Sequence, residues 1–228
     1  MKTFILIVLL SSQAAFAESK FVSASGHCSR KTAPDRASVV LSSEIRNANP
    51  KVAANEATEL YEKARAEVKK LNLKDLQVQT SAYEVNPEYN YERPNKPKVT
   101  GYVAQLGLTV ETSELPRVSE VIAIATKLGL QRVGQLQTFL STAKLKTEQE
   151  ACLEEAVRNA RAKAEKMALA AGSKLGGVIS LSEGSAQVPQ PVFAMAGQER
   201  AMADSPSPQI ETRAQDVSVT VQASFALK

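Results

Sequence analysis

Two long helical segments with alanine-rich faces, set among alternating strand-like segments, constrain the fold of this chain most strongly. In the first helix, Asn49 and Pro50 mark the start. Its apolar face is predicted to comprise Ala53, Ala57, Leu60, Ala64, Val68 and Leu71. The second helix is predicted to open on a capping box at 147–150 and to end at Gly172. Its stripe is predicted to comprise Leu153, Ala156, Ala160, Ala164, Met167 and Ala171. Because these residues are small, each helix can approach a sheet closely, which suits a chain with no Trp and only 5% aromatic residues.

Alternation of apolar and polar residues predicts the strands that accompany these helices. The predicted strands are 21–26, 37–45, 76–85, 99–111, 132–140, 175–181 and 210–227. A shorter helix is predicted from Ser113, as its N-cap, to Ala125. Residues 37–111 and 132–227 share one order of elements, without a residue-level repeat. The pattern therefore predicts an α+β protein of two β-α-β-β-like units, with mainly antiparallel sheet, helices packed on one face and Pro-rich insertions.

The first seventeen residues have the features of a secretion signal. A positive start at Lys2 precedes the apolar run 4–10, and Ala15-Phe16-Ala17 supplies small residues at the two positions that signal peptidase reads. We predict cleavage after Ala17, which leaves 18–228 as the mature domain. The run is too short to span a bilayer, and no later stretch reaches the roughly 20 apolar residues that a membrane helix needs. The expected location is the periplasm, and the alternatives are association with the outer membrane and an extracellular location.

Cys28 and Cys152 are the two cysteines of the chain. In an oxidising compartment a pair of cysteines predicts a disulfide, here closing a loop of more than one hundred residues. The alternative is two separate small apolar residues with free thiols.

Residues for enzymatic chemistry are scarce. His27 is the single histidine, which leaves little for a zinc site or a Ser-His triad. The glycines form neither a phosphate-binding loop nor a dinucleotide fingerprint. The net charge of +4 is too small and dispersed for a nucleic-acid surface. We therefore expect no enzyme, no cofactor and no nucleic-acid partner. His27 with Cys28 keeps one alternative open, a periplasmic protein that binds a small ligand or a metal.

Two Pro-rich insertions are candidates for protein contact. Tyr89 and Tyr91 lie two residues apart in 86–97, so an extended segment would present both rings on one side. The second insertion, 185–208, carries Phe193, Met195 and Met202 in a small and polar context. The alternative for both insertions is a solvated loop.

Several segments resemble the SIMPL-domain family, long catalogued as a domain of unknown function. The resembling segments are VSASGHCSRKTAPDRASVVLS (22–42), LQVQTSAYEVNPEYNY (76–91), GYVAQLGLTV (101–110), ACLEEAVRNARAKAEKMA (151–168) and the terminal VSVTVQASFAL. The string Thr-x-x-Tyr-x-Val-x-Pro-x-Tyr at 80–89 is the most specific. His27, Cys28 and Cys152 fall outside the family pattern.

The resemblance implies an exported envelope protein without established enzymatic activity. Bacterial members include periplasmic antigens, one of which assembles into a large ring, and others are linked to oxidative-stress tolerance. A eukaryotic relative binds a signalling kinase. We therefore expect a homo-oligomer or a protein that binds envelope partners, with a role in oxidative-stress protection.

Overall fold

The computed structural model describes residues 20–90, 97–184, 192–193 and 212–228. The predicted cleavage site after Ala17 lies outside these ranges. The strands form two antiparallel sheets, and the chain also contains helices, which confirms the α+β prediction. The strands are β1 (Phe21–Thr32), β2 (Arg36–Asn47), β3 (Gln77–Asn90), β4 (Lys98–Thr112), β5 (Arg132–Val133), β6 (Gln137–Phe139), β7 (Leu175–Glu183), β8 (Val192–Phe193) and β9 (Gln215–Leu227). The helices are α1 (Pro50–Lys70), α2 (Val118–Lys127) and α3 (Thr142–Ala170).

The larger sheet has the order β3-β4-β2-β6-β8, with β5 also paired to β2. Its centre is the antiparallel pair β2 and β4, in which Leu41 lies opposite Leu108. Helix α1 covers this pair and buries the small and aliphatic residues that the sequence pattern predicts. These are Ala53, Ala57, Ala64 and Val68. Burial of this stripe, rather than helix propensity alone, stabilises α1.

The start of α1 follows the sequence prediction. The side chain of Asn49 accepts a hydrogen bond from the Lys51 amide at 2.9 Å, and Pro50 occupies the first turn. The helix ends where Asn72 adopts a positive φ of 47°, a conformation that Asn tolerates better than most residues.

The smaller sheet has the order β1-β9-β7, so β1 and β7 are its edges. Alanines of α3 pack on β1 and β9, in a cluster with Ala24, Ala223 and Phe225. The approach is closest at Gly26, where an added Cβ would lie 1.8 Å from the Ala156 carbonyl oxygen. Glycine is therefore required there, because any side chain would displace the helix backbone. The observed buried stripe is Cys152, Ala156, Ala160, Ala164 and Ala168, whereas Met167, predicted to belong to it, is exposed.

The start of α3 differs from the prediction. The capping box at Thr147 is wrong, because Thr147 lies inside the helix, where its hydroxyl donates to the Ala143 carbonyl at 3.1 Å. The cap is Ser141, whose hydroxyl accepts from the Lys144 amide at 3.2 Å. Asp35 in turn accepts from both the amide and the hydroxyl of Ser141, each at 2.7 Å. Burial opposes the ionisation of Asp35, but these hydrogen bonds and the charge of Lys144 outweigh it and lower the pKa of the carboxyl.

Several further boundaries differ from the sequence predictions. Strand β1, predicted as 21–26, runs to Thr32, and the last strand, predicted from 210, begins at Gln215. Ser113 is not an N-cap, since its hydroxyl donates to Asp75 at 2.9 Å and a 3-10 turn at Leu115–Arg117 precedes α2. The strand predicted at 132–140 is the two short strands β5 and β6. The first insertion, predicted as 86–97, begins as part of a strand, because β3 continues to Asn90.

The described residues group into two compact units. Of these residues, the smaller unit comprises 20–28, 153–184 and 220–228, and the larger comprises 29–90, 97–152, 192–193 and 212–219. The repeat of element order between 37–111 and 132–227 stays a prediction.

Candidate functional site

An uncovered apolar strand edge is the most conspicuous surface of the smaller unit. Val178, Ile179 and Leu181 of β7 are 55%, 54% and 53% exposed. We call this surface the β7 edge, meaning these three side chains and the outer backbone of β7. Among the described residues β7 has one strand neighbour, β9. Clustered exposed apolar side chains on a free strand edge are typical of a contact surface.

The position of α3 explains why the β7 edge is uncovered. Val178 lies opposite Phe225, and Leu181 lies opposite Ala223, so both share a sheet face with buried residues of β9. The helix, however, packs over β1 and β9 through Ala160 and its neighbours. Strand β7 therefore lies beyond the width of α3, and its apolar side chains face solvent.

The opposite edge of the same sheet is blocked. The carbonyl of Ser25 accepts a hydrogen bond from Lys163 Nζ at 2.7 Å, and that of His27 accepts one from Asn159 Nδ2 at 3.0 Å. The carbonyl of Lys20 accepts a hydrogen bond from the amide of Leu227 in β9. Because the backbone groups of successive strand residues point to opposite sides, those of Ser25 and His27 point away from β9. Two side chains of α3 thus occupy acceptors that an added strand would need.

A second exposed surface lies on the larger unit, where β3 and β4 extend past β2. Strand β2 ends at Asn47, opposite Tyr102, so the pairing of residues 88–90 with 98–101 extends past the end of β2. We call these two segments the ribbon. Tyr89 and Val99 are paired across it, and both are exposed. Farther along β3, Tyr83 is 62% exposed.

Strand β3 has its own edge protection. Its pairing with β4 is irregular between Thr80 and Ala82 and again between Glu88 and Tyr89. Pro87 lacks a backbone N–H, which is tolerated on an edge strand but not within a sheet. Bulges and proline disfavour the addition of another strand, so the ribbon offers side chains rather than backbone for contact.

A shallow pocket of about 250 Å³ lies at the base of the ribbon. Its lining residues are Arg46, Asn47, Ala48, Glu88, Thr100, Gly101 and Tyr102. Arg46 Nε donates to Glu88 at 3.3 Å, and Arg46 also pairs with Glu44. The hydrogen bond to Glu88 and the charge of Glu44 raise the pKa of Arg46. The guanidinium of Arg46 is thus paired with two carboxylates. The residues that line the pocket lie near the ends of strands, and they do not present a reactive group.

The predicted chemistry around His27 and Cys28 separates onto two faces. His27 is exposed, with Nδ1 3.2 Å from Thr220 Oγ1, while Cys28 is buried. Over the described ranges, no group of three or more His, Cys, Asp or Glu residues could hold a metal ion. Cys28 and Cys152 are 3% and 0% exposed, and neither is a free thiol in the structure. The disulfide of the exported protein stays a prediction, and a thiol titration with and without reductant tests it.

The predicted contact residues are only partly within the described ranges. Tyr89 lies on the exposed ribbon, while Tyr91, Met195 and Met202 lie outside the described residues. Phe193 is described through its backbone, which pairs with Gln137. The sequence reasoning did not identify the β7 edge. Its signal was the apolar pair Val178-Ile179 in a strand without clean alternation, directly after Gly176-Gly177.

Comparison with known proteins supports the family resemblance seen in the sequence. The 26 kDa periplasmic immunogenic proteins of Brucella abortus (strain S19) and Brucella melitensis biotype 1 are each 30% identical over 187 residues. Each match covers 79% of this chain and 73% of the relative. No helix in the described part of the chain has the length and apolarity to cross a membrane. The model of the SIMPL family, a protein of unknown function (DUF541), matches residues 22–225, so the chain belongs to the SIMPL family.

Proposed function

We propose that this protein is an exported periplasmic protein that acts through self-assembly or contact with other envelope proteins, without enzymatic activity. The observation that carries the proposal is the β7 edge, an apolar strand edge left uncovered by α3. Aggregation-prone edges are normally blocked, as the β1 edge is by Lys163 and Asn159. An edge that keeps three exposed apolar side chains is best explained by a protein partner.

Two further observations support the proposal. The relatives from Brucella are named periplasmic proteins, which supports a periplasmic location here and is consistent with the signal-like residues 1–17. The charged side chains of the pocket at the ribbon are already paired with one another. A partner that is a protein accounts for exposed apolar side chains, whereas a small polar ligand does not.

Crosslinking in intact envelopes tests this proposal. A photo-crosslinking amino acid is placed at Ile179, at Tyr83 or, as a control, at Glu154, an exposed residue of α3. We expect discrete protein adducts from Ile179 and Tyr83 and none from Glu154. Absence of adducts at all three positions, or equal labelling from Glu154, would contradict a specific contact function.

A role in oxidative-stress tolerance is part of the same proposal and is supported by the family resemblance. Deletion of the gene is expected to increase sensitivity to peroxide, and the wild-type gene is expected to restore tolerance. An Ile179→Lys gene that restores tolerance fully would separate this role from the β7 edge.

A further inference from the structure

We propose that the smaller unit docks on an anionic lipid surface through lysines and apolar side chains at one end of its sheet. This inference goes beyond the proposed function, because the partner is a lipid surface rather than a protein, and it does not involve the β7 edge. The lysines are Lys20, Lys174 and Lys228, and all three are exposed. We call these three residues the lysine end.

Backbone pairing holds two of these lysines directly opposite each other. The amides of Lys174 and Lys228 each donate to the carbonyl of the other residue at 2.9 Å. Directly opposite residues of an antiparallel pair point to the same side of the sheet, with Cβ atoms roughly 4.5–5.5 Å apart. Lys20, on the other side of β9, accepts a hydrogen bond from the Leu227 amide at 2.9 Å. Each strand of the smaller sheet therefore begins or ends beside a lysine at the same end of the sheet.

The positive charge of the lysine end is not neutralised locally. Over the described ranges, no ion pair joins these lysines to an acidic side chain. The described acidic residues of the smaller unit are Glu154, Glu155, Glu165 and Glu183. Glu183 is at the far end of β7, and the three glutamates of α3 precede its last turn. Even with the α-carboxylate of Lys228 and the negative end of the α3 dipole, about half a charge, the cluster keeps an excess of positive charge.

Exposed apolar side chains flank the lysine end. Phe21 is 59% exposed, and Leu169, in the last turn of α3, is 63% exposed. Val22 packs in the cluster with the alanines of α3, so its neighbour Phe21 lies on the face of the sheet away from the helix. Leu175 packs in the same cluster, so Lys174 also lies on the face away from the helix. An aromatic ring and the pair of opposite lysines thus share one face of the sheet.

An anionic lipid surface matches both kinds of side chain. Its headgroup phosphates attract lysines, and each basic residue near such a surface strengthens binding roughly fivefold. Apolar side chains beside the cations gain by entering the boundary between headgroups and acyl chains. A soluble phosphate would pair with the lysines but would leave Phe21 and Leu169 in water. The apolar neighbours therefore favour a lipid surface over a free anion.

Cosedimentation of the mature chain with lipid vesicles tests this docking. One set of vesicles contains equal parts phosphatidylglycerol and phosphatidylcholine, and the other contains phosphatidylcholine alone. We expect binding to the anionic vesicles only, and we expect its loss in about 1 M salt, where the Debye length is about 3 Å. The double variant Lys174→Gln with Lys228→Gln should weaken binding at least about tenfold. Phe21→Ser should weaken it at least about threefold.

Two double variants serve as controls. Lys63→Gln with Lys69→Gln removes the same charge from exposed lysines of α1 and should leave binding unchanged. Lys174→Arg with Lys228→Arg keeps the charge and should keep the binding, which separates loss of charge from loss of folding.

Three results would overturn the proposal. The first is no binding to the anionic vesicles, or equal binding to both kinds. The second is binding that the glutamine variant of the lysine end weakens no more than the α1 control does. The third is binding of heparin as tight as that of the anionic vesicles, with Phe21→Ser equal to the wild type, which would assign the lysine end to a soluble polyanion.

Discussion

Replacement of Gly26 by alanine tests the close approach of α3 to the smaller sheet. The added Cβ would lie 1.8 Å from the Ala156 carbonyl oxygen and 2.5 Å from the Ala160 amide nitrogen, both backbone atoms. Ordinary van der Waals contact begins at 3.4 Å, so the helix would have to retreat by more than about 1 Å. Such a retreat opens the packing of Ala160 and Ala164 against Phe225.

We expect Gly26→Ala to lower the free energy of unfolding by at least about 3 kcal/mol, the upper part of the range for overpacked sites. Urea unfolding of the mature chain, followed by circular dichroism, measures the loss. Gly177→Ala is the matched control, because no heavy atom lies within 4 Å of its added Cβ. It should change the free energy by no more than about 0.5 kcal/mol. A Gly26→Ala variant that loses less than about 1 kcal/mol would refute the close packing.

Three further predictions concern the ends of the elements and the core. Asp35 has a lowered pKa in the folded state, so its contribution to stability is present above pH 3.8 and is lost as pH falls through the folded pKa. Unfolding measured from pH 6 to pH 2 should therefore show a smaller decline for Asp35→Asn than for the wild type, and equal declines would contradict the hydrogen bonds to Ser141. Replacing both Cys28 and Cys152 by serine should lower the free energy of unfolding by roughly 4 kcal/mol, the value expected for a long closed loop. An unchanged urea midpoint would argue against the disulfide. Leu41→Ala, at a fully buried position of β2, should cost about 2–5 kcal/mol by the same assay, and a loss under about 1 kcal/mol would contradict the assigned core.

Periodicity predicted the elements well where one face of an element is buried. The stripe of α1 at Ala53, Ala57, Ala64 and Val68 is buried as the spacing indicates. The cap at Asn49 could also be predicted, because its hydrogen-bond partner, the amide of Lys51, lies two residues away. Such contacts join residues that are close in the sequence, so the sequence alone was enough to predict them.

Contacts between distant residues account for most of the differences. Helix α3 starts at Thr142 because Asp35, far away in the sequence, positions Ser141, whereas the local signal at Thr147 favours a later start. The β7 edge is exposed because α3 lies over β1 and β9, which periodicity within β7 cannot reveal. Among the candidate contact residues, Tyr89 could be chosen from its own segment, while Ile179 required the sheet order.

The molar mass of the mature chain in solution tests the central claim most directly. Multi-angle light scattering across the micromolar range should give a mass of at least two chains at the upper concentrations, falling towards one chain on dilution. A mass of one chain at every concentration, together with an Ile179→Lys variant indistinguishable from the wild type, would contradict the account of this protein as a self-associating scaffold.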